Sequence, residues 1–449
     1  MKPIFVISCP IDTYSGYGAR GRDVAKAIIE LDKYDVKILP QRWGATPWGF
    51  IEDHSEWEFL NKHLVFDNSQ ITQKPDIWMQ ITIPNEFQPL GHFNIGMTAG
   101  IETTLCKKEW IDGGNRMDII LGSSEHSLNV LKNTKYEQRD NKTQQVVQII
   151  ELTTPTEVLF EGLNLDIYKK TDSTFDLSNI KESFAFLFVG HWTGGGLGHD
   201  RKNIPALIKG FCESFKNQKS PPALILKTTT GIPSYIDRDR VLSMIQEIKK
   251  TVRGKCPNIY LLHGEFTDKE INDLYNHPKI KTMISLTRGE GFGRPLLEFT
   301  QTKKPIITTG WSGHTDFLKP NMSTLLPGKL IDLHPSSRND WFVEGAKWFE
   351  VDIMALGKSL KEMFKKYNTF LHGAKKQGNY CKENFSYEKM KEKFKRILSQ
   401  NLKEKPKQVG LNLPKLNKVS SPPPKLNLPK LAKSNQDSPK LKLPKLQKV

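Results

Sequence analysis

The chain has 449 residues, 37% hydrophobic and 10% aromatic, which suits a folded body of about two domains rather than an unstructured chain. No stretch approaches the ~18 apolar residues of a membrane-spanning helix, and five scattered cysteines without a C-x-x-C exclude a disulfide framework and a zinc cluster. The net charge is +17, but the twelve lysines and two acids beyond residue 400 supply ten of those charges, so the first 400 residues carry only +7 and no strong phosphate-binding footprint.

The apolar run Ile4 to Cys9 is too short for a signal-peptide core and reads as a first strand. A glycine loop follows, Ser15-Gly16-Tyr17-Gly18, then a helix through Val24, Ala27, Ile28 and Leu31. Val36–Leu39, Ile77–Gln80, Phe93–Gly96 and Ile119–Gly122 read as further strands. Short apolar runs alternating with helices predict a parallel sheet covered on both faces. The rhythm restarts at Phe184–Gly190. It continues through the helix Pro205–Phe215, the strand Ala223–Lys227 and a helix near Arg240–Lys250. Then come Ile259–Leu262, a short helix, the strand Thr282–Leu286, a helix from about Pro295 and the strand Pro305–Thr309. This is a second Rossmann-like unit, and the cleft between two such units is a favoured ligand site.

The segment beyond residue 403 differs in kind. Leu411-Asn412-Leu413-Pro414-Lys415-Leu416-Asn417-Lys418 recurs from Leu426 and again from Leu441, at 15-residue offsets. Its proline, lysine and asparagine content predicts a disordered basic arm carrying three short linear motifs, suited to a protein or acidic partner.

Chemistry concentrates between Ser285 and Glu298. A strand ends near Leu286, Gly289-Glu290-Gly291-Phe292-Gly293 forms a turn, and Pro295 opens a helix at its favoured first position. Gly291 and Gly293 permit close backbone approach, and free amides at a helix start favour an anion. Glu290 and Glu298 fit one cleft, where carboxylates accept pairs of hydroxyls. Three further patterns carry no chemistry. Asp237-Arg238-Asp239 is a D-x-D before a predicted helix, Val241–Ile248. Gly194-Gly195-Gly196-Leu197-Gly198 lacks the lysine of a phosphate loop. Gly357-Lys358-Ser359 lies inside a helical pattern. Trp341 and Trp348 have the seven-residue spacing usual for a core or an interface.

This stretch resembles the donor site of glycosyltransferase family 4, with its E-G-F-G turn and a second glutamate on the following helix. The resemblance extends upstream to Leu261-Leu262-His263-Gly264-Glu265-Phe266 and downstream to Gly313-His314-Thr315-Asp316 and Asn384-Phe385-Ser386-Tyr387. It covers about residues 184–398 well and 1–165 more loosely. It implies the two-Rossmann GT-B fold. The acceptor-side domain would span 1–165 and the nucleotide-sugar domain 166–383. A crossing helix would span 384–402 and the tail 403–449. It implies a retaining sugar transfer from a nucleotide-diphosphate sugar to an unidentified acceptor, with no metal and no further cofactor. Glu298 would hold the donor ribose, and Glu290 the transferred sugar. Gly291, Phe292 and Gly293 would present backbone amides, with Gly16 and Gly18 lining the first domain's side. Lys202, and less directly Arg201, would neutralise the diphosphate, since His191 stands where the family often has an arginine. Glu102, in Ile101-Glu102-Thr103-Thr104 ahead of Gly122-Ser123-Ser124-Glu125-His126, would sit at the cleft wall. The cysteine usage and absent leader suggest a cytoplasmic setting. Two alternatives remain open at this stage. One is a GT-B epimerase or hydrolase acting on a nucleotide sugar. The other is a non-catalytic scaffold working through its tail, for which nucleic acid is a weakly supported partner.

Overall fold

The computed structural model describes residues 2–44, 46–67, 71, 73–192 and 199–402. The tail repeats and the Gly194–Gly198 loop lie outside these. Two six-stranded sheets, parallel throughout, dominate the rest. The first is built from β1 (Ile4–Cys9), α1 (Gly16–Glu30), β2 (Asp35–Pro40), α2 (Phe50–Asp53), β3 (Ile77–Ile81), β4 (Phe93–Thr98), α3 (Lys108–Gly114), β5 (Ile119–Gly122), α4 (Glu125–Asn133) and, after a hairpin of β6 (Tyr136–Arg139) and β7 (Val146–Ile150), β8 (Thr156–Val158). Its spatial order is β2-β1-β3-β4-β5-β8.

The second follows with β9 (Ala185–Val189), α5 (Ile204–Phe215), β10 (Ala223–Lys227), α6 (Tyr235–Lys250), β11 (Ile259–Leu262), α7 (Asp268–Asn276), β12 (Ile280–Ser285), α8 (Arg294–Phe299), β13 (Ile306–Thr309) and β14 (Thr324–Leu326). The order β11-β10-β9-β12-β13-β14 is the doubly wound 3-2-1-4-5-6 arrangement. In such sheets the crevice opens where the order reverses, here between the carboxyl ends of β9 and β12. That is where the E-G-F-G turn begins.

The strands form because their runs are buried on both faces. Ala185 to Phe188 and Ala223 to Leu226 are almost fully enclosed, each large side chain contributing about 1.5–3 kcal/mol. Helix starts follow local chemistry. The Ser15 hydroxyl accepts from Gly18 N at 2.9 Å to cap α1, and Thr267 with Glu270 forms a reciprocal capping box on α7.

A hairpin of β15 (Gly328–Asp332) and β16 (Lys347–Val351), then α9 (Ile353–Lys365), α10 (Tyr367–Asn384) and α11 (Tyr387–Asn401), complete the chain. Helix α11 returns to the first sheet. Its Met390, Phe394 and Ile397 join a cluster that includes Val24 and Ile28 of α1, and Lys391 reaches Glu30 at 2.8 Å. That cluster runs on through Phe292, Leu296 and Phe299, so both sheets belong to one compact unit, Met1–Lys403.

Several local expectations change. Helix α6 starts at Tyr235, because Ser234 caps it by accepting from Asp237 N at 3.1 Å, so Asp237 and Asp239 lie inside the helix rather than before it. Trp348 is buried on a strand, whereas Trp341 is 41% exposed in the hairpin's loop, so their spacing is not that of one helical face. The two hairpins were not anticipated.

Candidate functional site

The turn between β12 and α8 is gripped from both halves of the molecule. Glu290 N donates to the Ser312 hydroxyl at 2.9 Å, and the Glu290 carbonyl accepts from Gly313 N at 2.9 Å. From the first half, the Ser124 hydroxyl donates to the Gly291 carbonyl at 2.6 Å, with Ser127 Oγ at 3.1 Å. A β-carbon on Gly289 would stand 2.0 Å from the Glu102 carbonyl oxygen, and one on Gly291 would stand 2.5 Å from that of Ala99. These two glycines let two backbones touch. Gly293 instead has φ +98°, the left-handed conformation that glycine tolerates best, and from it α8 departs.

The charged groups converge here. Lys202 Nζ lies 2.5 Å from Glu290 Oε1, and Arg201 Nη1 lies 3.3 Å from Glu290 Oε2 and 3.3 Å from Glu102 Oε1. Arg201 also donates to the Gly289 carbonyl at 2.9 Å. Both cations sit just ahead of α5, where Asn203 takes a left-handed conformation (φ 55°). Burial by itself would raise the Glu290 carboxyl, but the Lys202 ammonium and then the Arg201 guanidinium outweigh it and hold it down to about 2. Helix α8 has only six residues, so its dipole adds little, and the charge at this turn is set by Lys202 and Arg201 against Glu290 and Glu102.

A cavity of about 180 Å³ opens between the halves, walled by Gly16, Tyr17, Glu102, Glu290 and the Gly291–Pro295 stretch among others. The structure therefore brings together Glu290, Arg201, Lys202, Glu102, Gly291, Phe292, Gly293 and Gly16. Lys202 reaches Glu290 from an adjoining smaller space that also touches Gly293. Phe292 is buried against Phe317, ring centroids 5.1 Å apart.

Two expected residues are placed differently. A β-carbon on Gly18 would stand 2.4 Å from the Thr13 carbonyl oxygen, so Gly18 serves its own turn, whereas Gly16 has nothing within 4 Å. Glu298 does not line the cavity. It lies 3.0 Å from Arg294 Nε, while Arg294 Nη1 reaches Asp23 of α1 at 2.7 Å. Burial drives the Glu298 carboxyl upward against the pull of Arg294. Arg294, Asp23, Ser124, Ser127 and Ser312 went unnoticed as a set because their partners are far away in sequence.

His191 hydrogen-bonds the Thr229 hydroxyl at 2.9 Å and Asp237 bonds His263 at 2.7 Å, so both are occupied within the second half. His314 is fully enclosed, with Nε2 on the Thr309 carbonyl at 2.7 Å and Nδ1 without a hydrogen-bond partner. Among the described residues no three His, Cys, Asp or Glu side chains gather as a metal site, and no helix is long and apolar enough to cross a membrane.

No protein-family model and no curated protein matches this sequence. Solved structures do resemble its fold. A glycosyltransferase from Rickettsia africae superposes with a TM-score of 0.60 at 14% identity, over 90% of this chain and 100% of the other. Sucrose-phosphate synthase from Thermosynechococcus elongatus gives 0.59 at 13%, over 89% and 99%. HepE from Anabaena, solved with UDP-glucose, gives 0.57 at 12%, over 89% and 100%. The fold is thus the two-Rossmann GT-B fold.

Proposed function

We propose that the protein is a retaining glycosyltransferase that moves a hexose from a nucleoside-diphosphate sugar to an acceptor held by its first half. The observation that carries this reading is the convergence of Lys202 and Arg201 on partly buried Glu290 at the switch point of the second sheet. A diphosphate leaving group needs fixed positive charge where its own charge develops, and two cations already positioned there pay no reorganisation cost during the reaction. Glu290, kept ionised by them, accepts hydrogen bonds from hydroxyls of the transferred sugar. Glu298 stands outside the cavity, but Arg294, which lines it, binds the Glu298 carboxyl, and Glu298 is the proposed ribose ligand. No protein carboxylate is assigned as a nucleophile. The leaving phosphate takes the acceptor's proton on the same face, and rate comes from positioning and charge stabilisation. No metal takes part in this scheme. The solved HepE complex with UDP-glucose supports testing uridine nucleotides first.

The test is thermal stabilisation by UDP-, GDP- and ADP-sugars, on the wild type and on Glu298→Ala and Glu290→Gln. At about 100 times its dissociation constant a specific donor adds roughly 2.7 kcal/mol. One nucleotide series should shift the wild type, with the shift lost in Glu298→Ala. If no nucleotide sugar moves the melting curve, the reading fails.

A further inference from the structure

The first half carries an aromatic platform beside the cavity that the transfer chemistry leaves unused. Tyr17 lines the cavity, and its hydroxyl is fixed by Thr98 Oγ1 and by Ala99 N, each at 3.0 Å. Trp43 stacks on the Tyr17 ring, with centroids 4.0 Å apart and 25° between the planes. Trp48, from the same loop after β2, is 41% exposed, with the Arg42 guanidinium 5.8 Å from its ring.

The end of this loop is anchored to Asp12. Gly49 N and Phe50 N both donate to the Asp12 carbonyl at 3.1 Å, and Ile51 N donates to Asp12 Oδ1 at 2.7 Å. Beneath it, buried Arg22 donates to the carbonyls of Ile11 at 2.7 Å and Thr13 at 3.0 Å, and its guanidinium lies 3.4 Å over the Phe50 ring. Exposed tryptophan on a braced loop loses little entropy when it binds a partner.

Acidic side chains outnumber basic ones along this stretch. Residues 41–60 hold Glu52, Asp53, Glu56 and Glu58 against Arg42 alone, and Asp12 borders them. Phosphate-rich ligands are repelled by such a rim, since nucleic-acid binding rests on cation–phosphate contacts. Flat aromatic faces next to carboxylates suit a pyranose instead. Its C–H face packs on the indole, and its hydroxyls donate to the carboxylates.

We propose that the acceptor carries a sugar ring, a glycan or glycoside, which docks on Trp43 and Trp48 and leads its nucleophilic hydroxyl past Tyr17 into the cavity. This inference rests on the transferase reading above.

The experiment is calorimetric titration of the full chain with maltotetraose, cellotetraose, N-acetylchitotetraose and mannotetraose, each with and without UDP. Single-stranded dT10 is the competing probe. At least one saccharide should bind, and Trp48→Ala and Trp43→Ala should each weaken it roughly tenfold, with Trp43→Phe recovering most of the loss. Melting curves of each variant guard against misfolding. Equal saccharide affinity in wild type and both alanine variants overturns the proposal, as does binding of dT10 alone or of no probe. Thermal shifts of the wild type with the UDP-, GDP- and ADP-sugar series separate the two failures. A donor response without saccharide binding sinks only the acceptor inference, whereas no donor response sinks the transferase reading.

Discussion

The Lys202 ammonium and the Glu290 carboxylate, 88 residues apart in sequence, meet at 2.5 Å with both side chains largely enclosed. Breaking a buried pair by removing one partner typically costs about 3–5 kcal/mol, because the other charge is left behind. Arg201 still touches Glu290, so Lys202→Met is expected at the low end of that range in urea unfolding. The double variant Lys202→Met/Glu290→Gln should recover part of the stability. Transfer should stay roughly 10²–10³-fold down in both, which separates folding from chemistry.

Gly289→Ala and Gly16→Ala form a contrasting pair. The first places a β-carbon 2.0 Å from the Glu102 carbonyl oxygen, a backbone atom that no side-chain rotation relieves. It should cost about 1–3 kcal/mol or more. The second meets nothing within 4 Å and should leave stability within about 0.5 kcal/mol. Loss of donor binding in Gly16→Ala with an unchanged urea midpoint would mark the space beside Gly16 as occupied by ligand.

Arg294→Leu removes the cation that touches Asp23 in the first half and Glu298 in the second. The expected cost is about 3 kcal/mol at pH 7.5. The deficit relative to wild type should widen as the pH is raised from about 7 to about 9.5, because the Glu298 carboxyl, pushed up to about 8 by burial, ionises there with no cation beside it. A deficit independent of pH would mean that lost packing, not charge, is responsible.

His126 stacks edge-on against Trp311, centroids 4.6 Å apart, and burial pushes its pKa down to about 4. The folded state therefore prefers neutral imidazole, while the unfolded chain binds a proton near the ordinary value of 6.5. Stability from this group is complete above pH 6.5 and is lost as the pH falls from 6.5 to 4. In His126→Asn, urea midpoints between pH 7 and pH 4 should fall less steeply than in wild type.

Five strands of each sheet were legible in the sequence because they are apolar runs bounded by turns, whereas the three-residue edge strands β8 and β14 were too short to read. The hairpin of β6 and β7 was not legible either. Tyr136-Glu137-Gln138-Arg139 is polar, and Val146, Val147 and Ile149 are exposed, so no alternation marks one buried face. The start of α6 was misread because Tyr235 and Ile236 point to solvent and break the helical pattern. At the site, Glu290, Lys202 and Arg201 lie in short motifs and could be picked out singly. The Arg294–Asp23 pair spans 271 residues and the Ser124–Gly291 bond spans 167. Local spacing carries no trace of such partners, whereas Arg294 and Glu298 are an i, i+4 pair on α8 that helical spacing does make legible.

The cavity holds about 180 Å³, below the ~300–1,000 Å³ typical of small-molecule sites. Its walls are bonded across the gap, Ser124 to Gly291, Glu125 N to Asp316 at 2.9 Å, and Arg294 to Asp23. On the proposed reading a nucleotide sugar exceeds this space, so its entry and exit require these fastenings to part. Opening of the seam is then a step of its own, governed by a serine, an aspartate and an arginine distinct from Glu290 and Lys202.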